Sequence, residues 1–167
     1  MTQSRSTPTT LLGLLTAPDD RTALISPDQG IRITYGGLRT QVQDVASALA
    51  AAGVKRGDRI GMALPNGIPN IVTFLAASMA GTAAPLNPAY KEEEFKFYLD
   101  DTNAKVLLLP PEGIDEARRA AGGTVPIVSV EMDANGTVTL AGVSGGAPVM
   151  PPALDETAPP PLLLSNV

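Results

Sequence analysis

The sequence predicts an α/β fold, in which a mostly parallel sheet is flanked by helices. Between Gly57 and Leu109, short apolar runs alternate with longer stretches whose apolar residues recur every three or four positions. The runs 59–64, 82–86 and 105–109 are too short for helices, whereas 68–80 and 91–101 have the length and spacing of amphipathic helices. Strands that alternate with helices are typical of parallel sheets with right-handed crossover connections.

The first of these helices, 68–80, begins and ends at recognisable residues. Pro69 falls in its first turn, where the missing N–H of proline costs little, and Gly81 is a common residue at a helix end. One face of the helix is apolar and is predicted to pack on the sheet; it consists of Ile68, Ile71, Val72, Leu75 and Met79.

The second helix, 91–101, carries glutamates 92–94 in its first turn, where the helix dipole favours negative charge. Its apolar face is Phe95, Tyr98 and Leu99. Adjacent helix positions point in different directions, so the three glutamates cannot converge on one metal ion. They indicate a solvated helix start rather than a metal or acid–base site.

The region before this unit is predicted to begin with one or two helical turns at 10–15, followed by a hairpin. Its strands are Thr22–Ser26 and Ile31–Thr34, joined by the turn-forming residues 27–30.

A further helix is predicted to begin at the capping residue Thr34 and to end near Gly53. Its apolar face consists of Leu38, Val42, Val45 and Leu49. Gly37 stands where a capping box would have glutamate, and it cannot reach back to the N–H of Thr34. We expect this absence to weaken the helix start by about 1 kcal/mol.

After the central unit, the sequence predicts a short helix at 114–121 and a fourth strand at 125–130. Asn135-Gly136 then predicts a hairpin with a two-residue type I′ turn, followed by a strand at 137–140. From 143 onward the composition is rich in proline and glycine, which predicts a linker before the apolar residues 162–164.

These features divide the chain into two predicted regions. Residues 1–142 form an α/β subdomain, in which 1–56 supply the hairpin and first helix and 57–142 form the sheet. Residues 143–167 form the linker and the start of the next strand.

Composition excludes several classes of function. The 12 Lys and Arg residues against 17 Asp and Glu residues give a net charge of −5, which argues against an extended nucleic-acid-binding surface. The chain has no Cys and no His, so thiol and imidazole nucleophiles, disulfides and nearly every zinc site are excluded. No apolar run reaches the roughly 18 residues of a membrane helix, and the N-terminus does not resemble a secretory signal. A cytoplasmic protein is expected.

Ligands of open α/β sheets bind at the carboxyl ends of the strands, which here are followed by the loops 65–67, 87–90 and 110–113. Asn87 or Tyr90 could form the wall of a pocket. The alternative, which we favour, is that Asn87 ends a strand and Tyr90 packs under the next helix. Residues 142–146 are rich in glycine but lack the spacing of a phosphate-binding loop, and proline-rich sequence follows them. Residues 142–146 therefore indicate a linker.

Two segments make the chain similar to a known superfamily. GDRIGMALPNGIPNIVTFLAASMAGTAAPLNPAY (57–90) and the ITYGGL motif at 33–38 resemble the N-terminal region of the adenylate-forming acyl-CoA synthetases. Within that superfamily, TAAPLNPAYKEEEFKFYLDDTNAKVLLL (82–109) is most similar to the oxalate–CoA ligase branch. The resemblance implies that the chain is the N-terminal part of the large domain of such an enzyme.

The resemblance also implies a two-step reaction. A small carboxylic acid and ATP, with Mg²⁺, give an acyl-adenylate and pyrophosphate, and the thiol of CoA then displaces AMP. The phosphate loop, the ribose-binding acidic residue and the catalytic lysine of the superfamily have no counterpart in residues 1–167. We therefore assign no catalytic, cofactor-binding or metal-binding residue, and we expect the fragment to be inactive by itself.

Two other classes of function compete with this one. A nucleotide-dependent oxidoreductase would need a glycine fingerprint after the first strand, and PNGIPN is not one. A stand-alone, non-catalytic binding or interaction module is the alternative. Because later strands normally complete such a sheet, we expect an exposed sheet edge through which the chain could self-associate.

The basic residues give no predicted triphosphate site. Lys55, Arg56 and Arg59 flank a turn at the amino end of the first sheet strand, away from the edge where ligands bind. Arg118 and Arg119 lie on the short helix 114–121.

Overall fold

A computed structural model describes residues 11–143. A single turn of 3-10 helix at Leu12–Leu14 precedes the first strand. A second 3-10 turn, Pro27–Gln29, joins the first two strands. The strands and α-helices follow in chain order: β1 (Thr22–Ser26), β2 (Ile31–Thr34), α1 (Tyr35–Ala51), β3 (Arg59–Met62), α2 (Ile68–Ala80), β4 (Thr82–Pro85), α3 (Glu92–Thr102), β5 (Val106–Leu109), α4 (Asp115–Ala121), β6 (Ile127–Met132) and β7 (Val138–Leu140).

The main sheet has the strand order β4-β3-β5-β6-β7 and is parallel except for β7. The predicted α/β class, its parallel strands and the two connecting helices are therefore confirmed. The apolar face predicted for α2 is wrong at Ile71, which is exposed, because the helix buries Thr73, Ala76 and Ala77 instead. β5 lies between β3 and β6, and all four of its residues are buried, as the continuous apolar run predicts. The chain folds β1 and β2 into a separate antiparallel hairpin.

Helices cover both faces of the sheet, and β5 supplies side chains to both cores. Leu108 belongs to the core that contains the buried residues of α1 and α2. Leu107 and Leu109 belong to a second core, with Phe95 of α3 and Ala117 of α4. The alternation follows from the pleat of the strand, because successive side chains point to opposite faces.

The start of α1 is better supported than its sequence predicts. Thr34 Oγ1 accepts a hydrogen bond from the Gly37 N–H at 3.1 Å, which is one half of a capping box. The preceding loop supplies two further acceptors, since the N–H groups of Tyr35 and Gly36 donate to the carbonyls of Arg21 and Asp19. Three of the free N–H groups at this helix end are thereby satisfied.

The hairpin between β6 and β7 is confirmed, but the predicted type I′ turn is wrong. That turn needs positive φ at both central residues, and in this loop only Gly136 has it, at +85°. The Gly136 N–H donates to the Asp133 carbonyl, while Asp133 Oδ1 accepts from the N–H groups of Asn135 and Thr137. The aspartate side chain thus favours a three-residue loop that ends in a left-handed glycine.

The β6–β7 loop also packs against the β1–β2 hairpin and so connects that hairpin to the main sheet. Gly136 is buried, and a Cβ atom placed on it would lie 2.6 Å from Ile31 Cγ2. Because Ile31 and Ile33 belong to the same core as α1 and α2, residues 22–34 and the sheet share one interior.

Three sequence-based interpretations lie partly or wholly outside the described residues. They are the linker that begins at 143, the glycine-rich stretch 142–146 and the apolar residues 162–164. Among residues 11–143, no helix is both long enough and apolar enough to cross a membrane.

Candidate functional site

The order of the strands reverses at β3. The chain passes from β3 through α2 to β4 on one side, and then through α3 to β5 on the other side of β3. At such a reversal the two neighbouring connections leave the sheet in opposite directions and open a crevice at the carboxyl ends of the strands. Applied to this strand order, the rule places the candidate crevice between the loops that follow β3 and β5.

The loop after β3 leads into the amino end of α2. Pro65, Asn66 and Gly67 are exposed, and Gly67 is the N-cap residue of the helix with φ +150°. No side chain caps this helix end, and Pro69 in its first turn has no N–H. Pro69 and the hydrogen bond from the Ile71 N–H to the Gly67 carbonyl remove two of the donors of this helix start, which no side chain occupies.

The loop after β5 is held by Arg118 of α4. Its guanidinium donates to the carbonyls of Pro110, Pro111 and Gly113, with Nε 3.0 Å from the Gly113 oxygen. Ile114, at the end of the loop, has φ +54°, a conformation that costs a β-branched residue free energy. The hydrogen bonds from Arg118 to three carbonyls offset that cost. Its donors are therefore engaged in holding the loop.

Asn87 and Tyr90 have the structural roles that we favoured. Asn87 Oδ1 accepts from the N–H of Ala89 at 3.0 Å, which forms an Asx turn. The Tyr90 ring stacks on Tyr98, with ring centroids 5.2 Å apart, and meets Phe95 edge-on. A hydrogen bond with the Tyr98 side chain is the main cause that raises the pKa of Tyr90. Both residues therefore build the start of α3.

Carboxylates dominate the helix starts near this edge. The first turns of α3 and α4 contain Glu92, Glu93, Glu94, Asp115 and Glu116. Arg119 pairs with Glu92 at 2.8 Å and with Glu116 at 2.7 Å, and its hydrogen bond is the main cause that lowers the pKa of Glu116. No group of three or more metal-ligating residues occurs in the described part of the chain.

The cations at the opposite edge belong to the fold. Arg59 Nε donates to the Thr102 carbonyl at 2.6 Å, and its Nη2 donates to the Asn103 carbonyl at 3.2 Å. These carbonyls lie at the carboxyl end of α3, where the helix dipole favours positive charge. Lys55 and Arg56 are exposed beside the same amino end of β3.

The structure thus brings together the loops after β3 and β5 and separates them from Lys55, Arg56 and Arg59. Sequence reasoning missed the roles of Arg59 and Arg118. No local pattern indicates them, because Arg59 meets carbonyls more than 40 positions away in the chain. The sequence Pro-Pro-Glu-Gly before α4 marks a loop, but not the residue that holds it.

Comparison with known proteins gives consistent results. The sequence model described as "AMP-binding enzyme" matches residues 15–160. "Probable CoA ligase CCL9" of Humulus lupulus is 40% identical over 155 residues, which cover 89% of this chain and 28% of that protein. An oxalate–CoA ligase of Arabidopsis thaliana is 41% identical over 106 residues, which cover 62% of this chain and 20% of that protein.

Solved structures agree on the fold. ATP-bound MatB from Rhodopseudomonas palustris matches with a TM-score of 0.69 at 25% identity, over 86% of this chain and 30% of that chain. The N-terminal domain of FACL13 from Mycobacterium tuberculosis matches with a TM-score of 0.59 at 27% identity, over 65% of this chain and 30% of that chain. The chain therefore spans less than a third of the length of each of these relatives.

Proposed function

The chain belongs to the AMP-binding enzyme family, and on that premise we propose that it is the N-terminal part of an ATP-dependent acyl-CoA ligase. The reaction of the whole enzyme would join a carboxylic acid to CoA, with conversion of ATP to AMP and pyrophosphate. The identity of 40% to the Humulus CoA ligase, which extends over 89% of this chain, carries the proposal. A cytoplasmic location belongs to the same proposal, because the substrates would be ATP and CoA.

The described residues do not fit the triphosphate of ATP. Holding it requires paired cations or a row of free N–H groups. Near the crevice, Arg118 is bonded to three carbonyls and Arg119 to two carboxylates. The five carboxylates in the first turns of α3 and α4 add an unfavourable field. No catalytic step can be assigned to these residues, and we propose that the chain alone neither binds ATP tightly nor forms an acyl-adenylate.

The part that this chain would play is structural. It would supply a closed hydrophobic interior and one edge of a binding cleft, while other parts of the whole enzyme would bind ATP, Mg²⁺, CoA and the acid. The division at 142/143 into an α/β subdomain and a linker remains part of this proposal.

For the acid, we propose oxalate. The support is the similarity of residues 82–109 to the oxalate–CoA ligase branch, together with 41% identity to the Arabidopsis oxalate–CoA ligase. Adenylate formation by the full-length enzyme should be measured with oxalate, acetate, coumarate and a long-chain fatty acid. Faster turnover of coumarate or the fatty acid than of oxalate would assign the enzyme to another branch.

Calorimetric titration of residues 1–167 with ATP–Mg²⁺, together with an acid-dependent pyrophosphate-exchange assay, tests the inactivity of the fragment. We expect no heat of binding at micromolar ATP and no exchange. Micromolar binding or exchange would show that a nucleotide site has been overlooked. The full-length enzyme is the positive control, because it should show both signals.

A stand-alone interaction module is the second candidate. The observation in its favour is that the β1–β2 hairpin, α1, α2 and one face of the sheet bury their apolar side chains in a shared core, which favours independent folding of the chain. The length of the open reading frame separates the candidates, since a frame about three times longer favours the ligase.

A further inference from the structure

Among residues 11–143, β4 is an edge strand of the main sheet, with no strand paired to its outer side. The N–H of Thr82 donates to the Asp58 carbonyl and the N–H of Leu86 to the Met62 carbonyl, both at 2.8 Å. Residues 82, 84 and 86 therefore point their backbone groups at β3. Because these groups alternate along a strand, those of Ala83 and Pro85 point away from the sheet.

Pro85 has no N–H, so the open side of β4 carries a single backbone donor, that of Ala83. Nothing else in the strand discourages pairing. Thr82–Pro85 carries no charge, and its register with β3 shows no bulge. Charged residues, bulges and proline are the usual means of protecting a sheet edge, and here proline is the one in place.

The opposite edge of the sheet is protected differently. In β7, the Ala141 N–H donates to the Ser129 carbonyl of β6, so Val138 and Leu140 point away from β6. The outward N–H of Val138 donates to Gln41 Oε1 of α1 at 3.0 Å. The outward carbonyl of Leu140 accepts from the Val143 N–H at 3.3 Å. This edge is thus largely satisfied from within the chain, so in the described part of the main sheet β4 is the edge open to pairing.

We propose that Pro85 keeps the β4 edge from pairing with a second copy of this chain. An identical edge is the partner that fits, because two β4 strands related by a two-fold axis at Ala83 would be antiparallel and self-complementary. Only the two Ala83 residues can exchange hydrogen bonds in that arrangement. The next position would require residue 85 to donate to the Gly81 carbonyl of the other copy, and proline cannot.

Replacing Pro85 with valine tests this proposal on the full chain. The Pro85→Val variant restores two donors per dimer, and valine favours a strand. Sedimentation velocity over a concentration series should show self-association on the order of 30-fold tighter than for the unaltered chain, from two added hydrogen bonds. The amide of residue 85, followed by NMR hydrogen exchange, should become protected as the concentration rises.

Pro88→Val is the matched control, since Pro88 is also an exposed proline but lies in the loop after β4. It should leave the sedimentation profile unchanged. The proposal is overturned if Pro85→Val associates no more tightly than the unaltered chain, if Pro88→Val has the same effect, or if association leaves residue 85 unprotected. Circular dichroism verifies that both variants are folded. None of these outcomes depends on the proposed ligase activity.

Discussion

Replacing Gly136 with alanine should destabilise the protein for two separable reasons. Gly136 has φ +85°, where a residue with a side chain is strained by roughly 1–2 kcal/mol. In addition, the new Cβ would lie 2.6 Å from Ile31 Cγ2. Carbon atoms normally approach to about 3.5–4.0 Å, so Ile31 or the loop must move by about 1 Å.

The steric clash with Ile31 adds its own cost, because Ile31 has little room to move. It is only 7% exposed and is packed in the core beneath α1. Forcing a methyl group into a packed interior typically costs about 1–3 kcal/mol, which gives a total near 2–5 kcal/mol. Gly57→Ala is the control, because Gly57 has φ +86° and nothing within 4 Å of its Cβ position. That variant should lose only the strain.

Urea unfolding followed by far-UV circular dichroism measures both variants, since the chain has no tryptophan to report by fluorescence. The double variant Ile31→Ala/Gly136→Ala should lose less than the sum of the single losses, because the truncated side chain removes the clash. If Gly136→Ala and Gly57→Ala cost the same, or if the double variant is additive, the loop does not pack against Ile31 as described.

Three further predictions concern single side chains. Thr73 Oγ1 is buried and has no hydrogen-bond partner among the described residues, so Thr73→Val should raise the free energy of unfolding by about 1–3 kcal/mol. Asn103 ends α3 with φ +47°, so Asn103→Ala should cost about 1 kcal/mol, whereas Asn103→Gly should be neutral or stabilising. Hydrogen bonds from the Thr137 and Asn135 N–H groups lower the pKa of Asp133. Its carboxylate therefore stabilises the fold at pH values above the pKa of the unfolded state, and this contribution is lost as the pH falls through the lower pKa of the folded state. Asp133→Asn should therefore flatten the dependence of stability on pH below about pH 4.

Each of these predictions has its own control. Thr73→Ser keeps the hydroxyl and loses a buried methyl group, so it should destabilise; a loss of stability in Thr73→Val would mean that the hydroxyl has a partner. For Asn103, equal stability of the alanine and glycine variants would contradict the left-handed helix end. For Asp133, the pKa of Glu116 is also lowered, but Glu116 is present in both proteins and cancels in the comparison.

The sequence was sufficient to predict the type of the secondary-structure elements and their order along the chain. Apolar residues three and four apart identify α2, and the continuous run of β5 identifies a strand buried on both faces, because these periods follow from backbone geometry. Strand order was not predictable in the same way. Nothing local in β3 indicates that β4 and β5 lie on its two sides, since that depends on which face of the sheet each crossover helix covers.

Errors in detail came from hydrogen-bond partners that local sequence rules do not include. Asn-Gly favours a type I′ turn, but the Asp133 carboxylate bonds two N–H groups of the loop and stabilises a longer one. Similarly, Gly37 predicts a weakened start of α1, yet carbonyls of the preceding loop satisfy the helix end. In both cases the deciding partner lies outside the motif on which the prediction rested.

The arginines support our proposal that the candidate crevice is a scaffold rather than a phosphate site. Arg39 donates to the carbonyls of Leu15 and Ala17, Arg59 to the end of α3, and Arg118 to the loop after β5. A guanidinium bonded to fixed carbonyls would have to abandon them to bind a triphosphate, and each loop would lose its support. Because a hydrogen bond to a charged group contributes about 1.5–3 kcal/mol, such an exchange would trade folding free energy for binding. A cleft that must hold ATP is better served by cations with no structural duty. The exposed Lys55 and Arg56 lie at the opposite edge of the sheet, and the exposed Lys91, at the start of α3, is followed directly by three glutamates.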